Sequence, residues 1–262
     1  MKCPLILAIM MFGINVLGQS PYSETDVRGR KAIPNPSLRE SDVHFQKQIV
    51  RVINTREKNN LPLRWNKNSL GDVIYRAIEQ GKLKAYSSDS LSNTYNTEQV
   101  SHRGRKLVEM QYGEGDGIFS DSNLYQQLNP DDIERYAVVE NWFFDRRTGE
   151  SYYRIVAIAP LYNQVVAGIS LGEIPLFWIR YSEARQVFVT EPMFNRQNNA
   201  AKLSFDDFFE QRLFTSYLAK ISNFKDERII QYKDVTNAKE ALFIGQEEDE
   251  HVFTLDHDEW EY

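Results

Sequence analysis

The chain has 262 residues, a formal charge of −6, 42% hydrophobic and 13% aromatic residues. That length and apolar content build a folded core and exclude a disordered chain. The acidic balance excludes general nucleic-acid binding, which needs a basic face to displace counterions from phosphates.

Met1 and Lys2, the apolar run Leu5 to Leu17 and the small Gly18 ahead of Gln19 read as a signal peptide over 1–18. The run is too short to span a bilayer. Cys3, the single cysteine, precedes that run, so it leaves with the signal and carries no lipid. The mature chain is therefore expected to hold no disulfide and no thiol nucleophile. Residues 19–40, polar and containing Pro21, Pro34 and Pro36, read as an extended N-terminal arm, either loose or ordered on a neighbour. From Ser41 to about Lys58 the spacing of Val43, Ile49, Val50 and Ile53 predicts a helix. A second helix is predicted from Ser69, capped by Ser69 and Asp72, with Leu70, Val73, Ile74, Ala77 and Ile78 on one face and Gly81 as its stop.

Residues 87–130 are polar and loop-like, with Gly113, Gly115 and Gly117 close together. Tyr136 to Phe144 and Tyr152 to Ala159 predict a hairpin across a medium loop. Leu176 to Tyr181 and Val187 to Thr190 predict a second hairpin around Ser182 to Arg185. Ser204 and Asp207 cap a predicted helix running to about Ser222, with Phe205, Phe208, Phe209, Leu213, Tyr217 and Ile221 on one face. A short helix is predicted around Asn237 to Ile244. The tail at 246–262 holds eight acidic residues and no Lys or Arg, a block that repels itself and reads as solvated. The pattern is α+β: an antiparallel sheet of two or more hairpins packed with amphipathic helices, in a domain over 41–245 between the arm and the acidic tail.

No catalytic constellation stands out. His44, His102, His251 and His257 are far apart in sequence, and zinc wants ligands on rigid structure, so neither metal nor cofactor is expected. Gly113-Glu114-Gly115-Asp116-Gly117 carries acids where a phosphate loop needs open backbone N–H groups and a lysine. Asp131-Asp132 and Asp206-Asp207 are the carboxylate pairs a glycan hydrolase would use, the alternative function. Both lie where helices begin, so capping is the favoured reading. Trp142 and Phe144 share one strand face, and Phe143 takes the other. Trp178 opposes Phe177 and Ile179. Both faces therefore need cover, from this chain's helices or from a neighbouring subunit, which makes Trp142, Phe144 and Trp178 candidate partner-interface residues.

Several of these segments, in order, resemble a known family. Arg51-Val52-Ile53-Asn54-Thr55-Arg56-Glu57-Lys58-Asn59-Asn60-Leu61-Pro62-Leu63, then Ser69 to Ile74 with Gly81 and Ala85-Tyr86, are similar to the N-terminal part of the gliding-motility family GldN, also called PorN. Glu140 to Asp145 and Arg154 to Leu161 resemble its central hairpin, and Leu176 to Ile179 and Asp206 to Arg212 its C-terminal part. The resemblance runs from about residue 37 to 235. It implies a non-enzymatic periplasmic subunit of the type IX secretion machinery of Bacteroidetes. Such a subunit forms a homo-oligomeric ring under the outer membrane with a GldK/PorK-like lipoprotein and meets a GldM/PorM-like inner-membrane motor protein.

Overall fold

The computed structural model describes residues 27–103, 106–108, 124–126, 128–166, 169–195, 202–233 and 235–258. The predicted signal peptide, residues 19–26 of the arm, the Gly113 to Gly117 segment and the last four tail residues lie outside them.

Strand β1 spans Val43–Asn54, where the sequence predicted a helix. Exposure alternates from His44 to Ile49, and then Ile49 to Ile53 are buried or half-buried throughout. That β-branched run suits a pleated surface covered on both sides. A continuous apolar run satisfies helical and strand spacing equally, so periodicity could not separate them. Helix α1 (Leu70–Glu79) forms as predicted, with Ser69 Oγ accepting from Asp72 N and the five apolar residues buried. Its stop is Gly81 at φ +69°, with Gly81 N donating to Ile78 O and Lys82 N to Ala77 O.

The stretch predicted as loop holds short elements: β2 (Ala85–Tyr86), β3 (Thr94–Tyr95), α2 (Thr97–His102), β4 (Lys106–Val108) and β5 (Leu124–Gln126). Asn96 and Gln99 close a reciprocal capping box on α2. Strands β6 (Arg135–Asp145) and β7 (Glu150–Val166) form the predicted central hairpin, pairing from Asp145↔Glu150 to Arg135↔Leu161. The chain returns along β7 as β8 (Ile169–Pro175) and β9 (Trp178–Arg180).

The predicted second hairpin is absent, because Tyr181–Phe188 form helix α3. Tyr181, Ala184, Arg185 and Phe188 are buried at i, i+3, i+4 and i+7. After the β10 (Pro192–Met193) and β11 (Leu203–Ser204) pair comes α4 (Phe205–Glu210), capped as predicted by Ser204 and Asp207. The predicted helix over 204–222 stops there. Arg212 takes φ +50°, with Arg212 N donating to Phe209 O and Leu213 N to Phe208 O, a left-handed stop usually filled by glycine. Tyr217–Ile221 then form β12, and Ala238–Asp258 form α5. The predicted short helix and most of the acidic tail are thus one helix of 21 residues.

The main sheet is antiparallel in the order β12-β1-β6-β7-β9-β2-β3, with β8 also on β7. The fold is α+β. One sheet face, carrying Ile53, Tyr136, Val138, Ile158 and Ile179, packs against α1, α3 and α4 in the main core. Further along that face, Ile49, Trp142, Leu218 and Ile221 form a smaller core under α5 through Val252. The opposite face presents Val50, Val52, Ala137, Val139, Ala157 and Ala159.

Candidate interaction surface

Strand register sets Arg51 of β1 opposite Val138 of β6 and Ile49 opposite Glu140, so that Arg51 and Glu140 are diagonal neighbours on the α5 side of the sheet. Glu140 is fully buried between two guanidiniums. Arg51 Nε stands 3.3 Å away, and Arg212 donates from Nη1 at 2.6 Å and Nη2 at 3.2 Å. Arg51 turns its Nη atoms to the Asp249 carboxylate of α5, one at 3.0 Å. Arg212 also lies over the Tyr153 and Phe214 rings, 4.8 and 5.2 Å from their centroids. Burial would lower the Arg51 pKa, but Asp249 and Glu140 more than offset it and hold it raised. Two cations and two anions balance inside the sheet face, where an unpaired charge would cost far more than the pairing returns.

A second cluster fixes the arm. Arg185 of α3 donates to both Asp206 oxygens, at 2.8 and 3.2 Å, and to Asn35 Oδ1 at 3.1 Å. Arg30 pairs with Asp207 at 3.1 Å, Arg154 donates to Pro36 O, and Val27 is fully buried. The described part of the arm therefore lies on its own chain, which neither sequence alternative anticipated. Side-chain contacts account for three of the four paired carboxylates. Asp206 holds Arg185, Asp207 caps α4, and Asp131 accepts from Ser69 Oγ beside the start of α1. Among the described residues no group of three or more His, Cys, Asp or Glu could hold a metal ion, and no helix is long and apolar enough to cross a membrane.

Of the three candidate interface aromatics, Trp142 and Phe144 are buried within the chain, and Trp178, though mostly buried, lines the groove on the opposite sheet face. Trp142 is fully buried, edge-on to Phe45 at 4.7 Å and stacked on Tyr153 at 6.3 Å. Phe144 stacks on Phe45, and Trp178 packs with Val139 and Leu161 on the opposite face. Phe45 of β1, Tyr153 of β7 and the α5 residues of the same cluster cover Trp142 and remove it from the outer surface. The sequence reading missed Arg51, Glu140, Arg212 and Asp249. A signal existed: Arg51 interrupts Ile49 to Ile53, and Glu140 interrupts Val138 to Phe144. A charge inside a run that must be buried needs a partner.

The Asn54 to Leu63 segment is structural. Asn60, fully buried, donates to Asn54 O and Thr215 O, both at 2.8 Å, and accepts from Thr215 N at 2.9 Å. Thr55 donates twice to Glu134 O.

Two outward features remain. The α5 surface exposes Leu242 and Phe243, 49% and 57% accessible. The opposite sheet face carries a groove of about 80 Å³ floored by Val50, Val52, Ala137 and Ala219, with Asp89, Lys220 and Arg228 also lining it.

The chain is thus an antiparallel α+β protein, braced by internal ion pairs and carrying an exposed apolar helix face and a small apolar groove. The family model described as gliding motility associated protein GldN matches residues 38–261, and the chain belongs to the GldN family. It is thus a component of the gliding-motility and type IX secretion machinery. The match includes α5, beyond the resemblance noted in the sequence. No curated protein sequence matches the chain.

Proposed function

We propose that this chain is a non-enzymatic periplasmic ring subunit of the type IX secretion and gliding machinery. It is exported by its N-terminal signal, held at the inner face of the outer membrane by a GldK/PorK-like lipoprotein, and met from below by a GldM/PorM-like motor protein. The observation that carries this reading is the GldN match, unbroken from β1 through α5. The bracing of the sheet face by Glu140 and Arg51 supports it, because a subunit that transmits force needs a stiff frame. The glycan-hydrolase alternative has no observation in its favour. The test is gentle solubilisation of envelopes containing the tagged chain, identification of what elutes with it, and electron microscopy. Rings containing an outer-membrane lipoprotein support the proposal. A monodisperse monomer with no envelope partner overturns it.

A further inference from the structure

We propose that copies of this chain associate head to tail, with Phe243 on the outer face of α5 seated in the Val50–Ala219 groove of the next copy and Leu242 against its rim. The proposal rests on the ring-subunit reading and names the contact that builds the ring.

Strand alternation sets the geometry. Helix α5 lies on the sheet face that carries Ile49, Arg51 and Trp142. Val50 and Val52 are out of phase with those residues, so the groove opens on the other face of the same strands. The helix and the groove thus belong to different faces of the same sheet, as two unlike surfaces on one chain. A repeated heterologous contact needs that arrangement, and it closes a ring when its rotation allows.

The surfaces also match in chemistry. The inner side of α5 is already seated through Ala241, Ile244 and Val252. Leu242 and Phe243 nevertheless face outward as large apolar side chains at adjacent positions. A groove of about 80 Å³ has room for one large side chain. It falls well short of the roughly 300–1,000 Å³ of small-molecule pockets. Lys239 stands one turn before Phe243 and over its ring, and exposed Glu247 and Glu250 follow one and two turns after it. The groove lining supplies the opposite charges, Asp89 for Lys239 and the exposed Arg228 for the glutamates, while Lys220 is already paired with Asp226 of its own chain.

The test is crosslinking of the full chain in its native envelope, in a Cys3→Ser background. A chain carrying both Gln246→Cys, exposed one turn from Phe243, and Val50→Cys, treated with a short bismaleimide, is expected to give a ladder of multiples of the chain mass. Each single variant alone gives none, and the two co-expressed give a dimer. Arg228→Glu should weaken the ladder about tenfold and Arg228→Glu with Glu247→Arg should restore it. Ala219→Cys repeats the experiment on the neighbouring strand in case Val50→Cys fails to accumulate. Absence of a ladder while the chain still sediments with its lipoprotein overturns this contact and leaves the ring reading standing. Absence of both overturns both. A crosslink from position 246 to a different envelope protein assigns the helix face elsewhere and also overturns the contact.

Discussion

Arg51 and Asp249 stand 198 positions apart and meet as a forked pair, both guanidinium Nη atoms on both carboxylate oxygens. The pair fastens the last helix to the first strand, and Glu140 behind it extends the bridge to Arg212 at the end of α4.

Glu140→Gln leaves two guanidiniums facing a neutral amide in a buried site, with an expected loss of about 3–5 kcal/mol. Asp249→Asn should cost less, about 1–2 kcal/mol, because that carboxylate is 39% exposed and water screens part of the pairing. Urea unfolding at unchanged m-value measures both. The reverse ranking would contradict the central position of Glu140.

Trp142→Ala should destabilise by about 3–5 kcal/mol, since it empties the core between β1, β6 and α5. Phe243→Ser, on the outer face of the same helix, should stay within about 0.5 kcal/mol of the parent in a monomer. Equal losses would mean that α5 is not seated as described.

Gly245→Ala reverses the usual sign. Alanine in a helix is worth about 1 kcal/mol over glycine. Here its Cβ would stand 2.7 Å from Leu218 O, so α5 must shift off β12. The expected result is a lower melting temperature. Gln246→Ala, one residue on and exposed, serves as the near-neutral control.

Asn60→Ala removes three hydrogen bonds and strands Thr215 N, for an expected cost of roughly 2–3 kcal/mol. Asn59→Ala, beside it and exposed, should change little. Chemical denaturation of the two variants reads the difference directly.

Alkaline pH should unfold the protein through its tyrosines. Burial pushes the Tyr75 hydroxyl up to about 12 and raises Tyr136 and Tyr181 in the same direction. The folded state therefore keeps protons that the unfolded chain releases near pH ~10. This stabilisation is complete below that pH and is lost as pH rises towards the folded pKa values. Urea midpoints should fall between about pH 10 and 12, with tyrosinate absorbance rising together with unfolding. Ionisation of these hydroxyls in a chain that stays folded at pH ~10 would refute the burial.

The α+β class, the β6–β7 hairpin, the caps at Ser69 and Ser204 and the stop at Gly81 could all be read from the order of residues alone. Each rests on residues within a few positions of one another, where propensity, capping and turn chemistry act. The sequence also carried the family resemblance, through ordered segments that needed no fold to be read. Tertiary structure decided the rest. Residues 43–54 are a strand because β6 and β12 lie on either side of them. Arg212, in a conformation that favours glycine, is held by Glu140 and by the Tyr153 and Phe214 rings. The acidic tail is a docked helix because Arg51 and the pocket around Val252 receive it. Charge repulsion along that tail was legible from its composition. The buried cation that offsets it is brought close only when the first strand and the last helix meet.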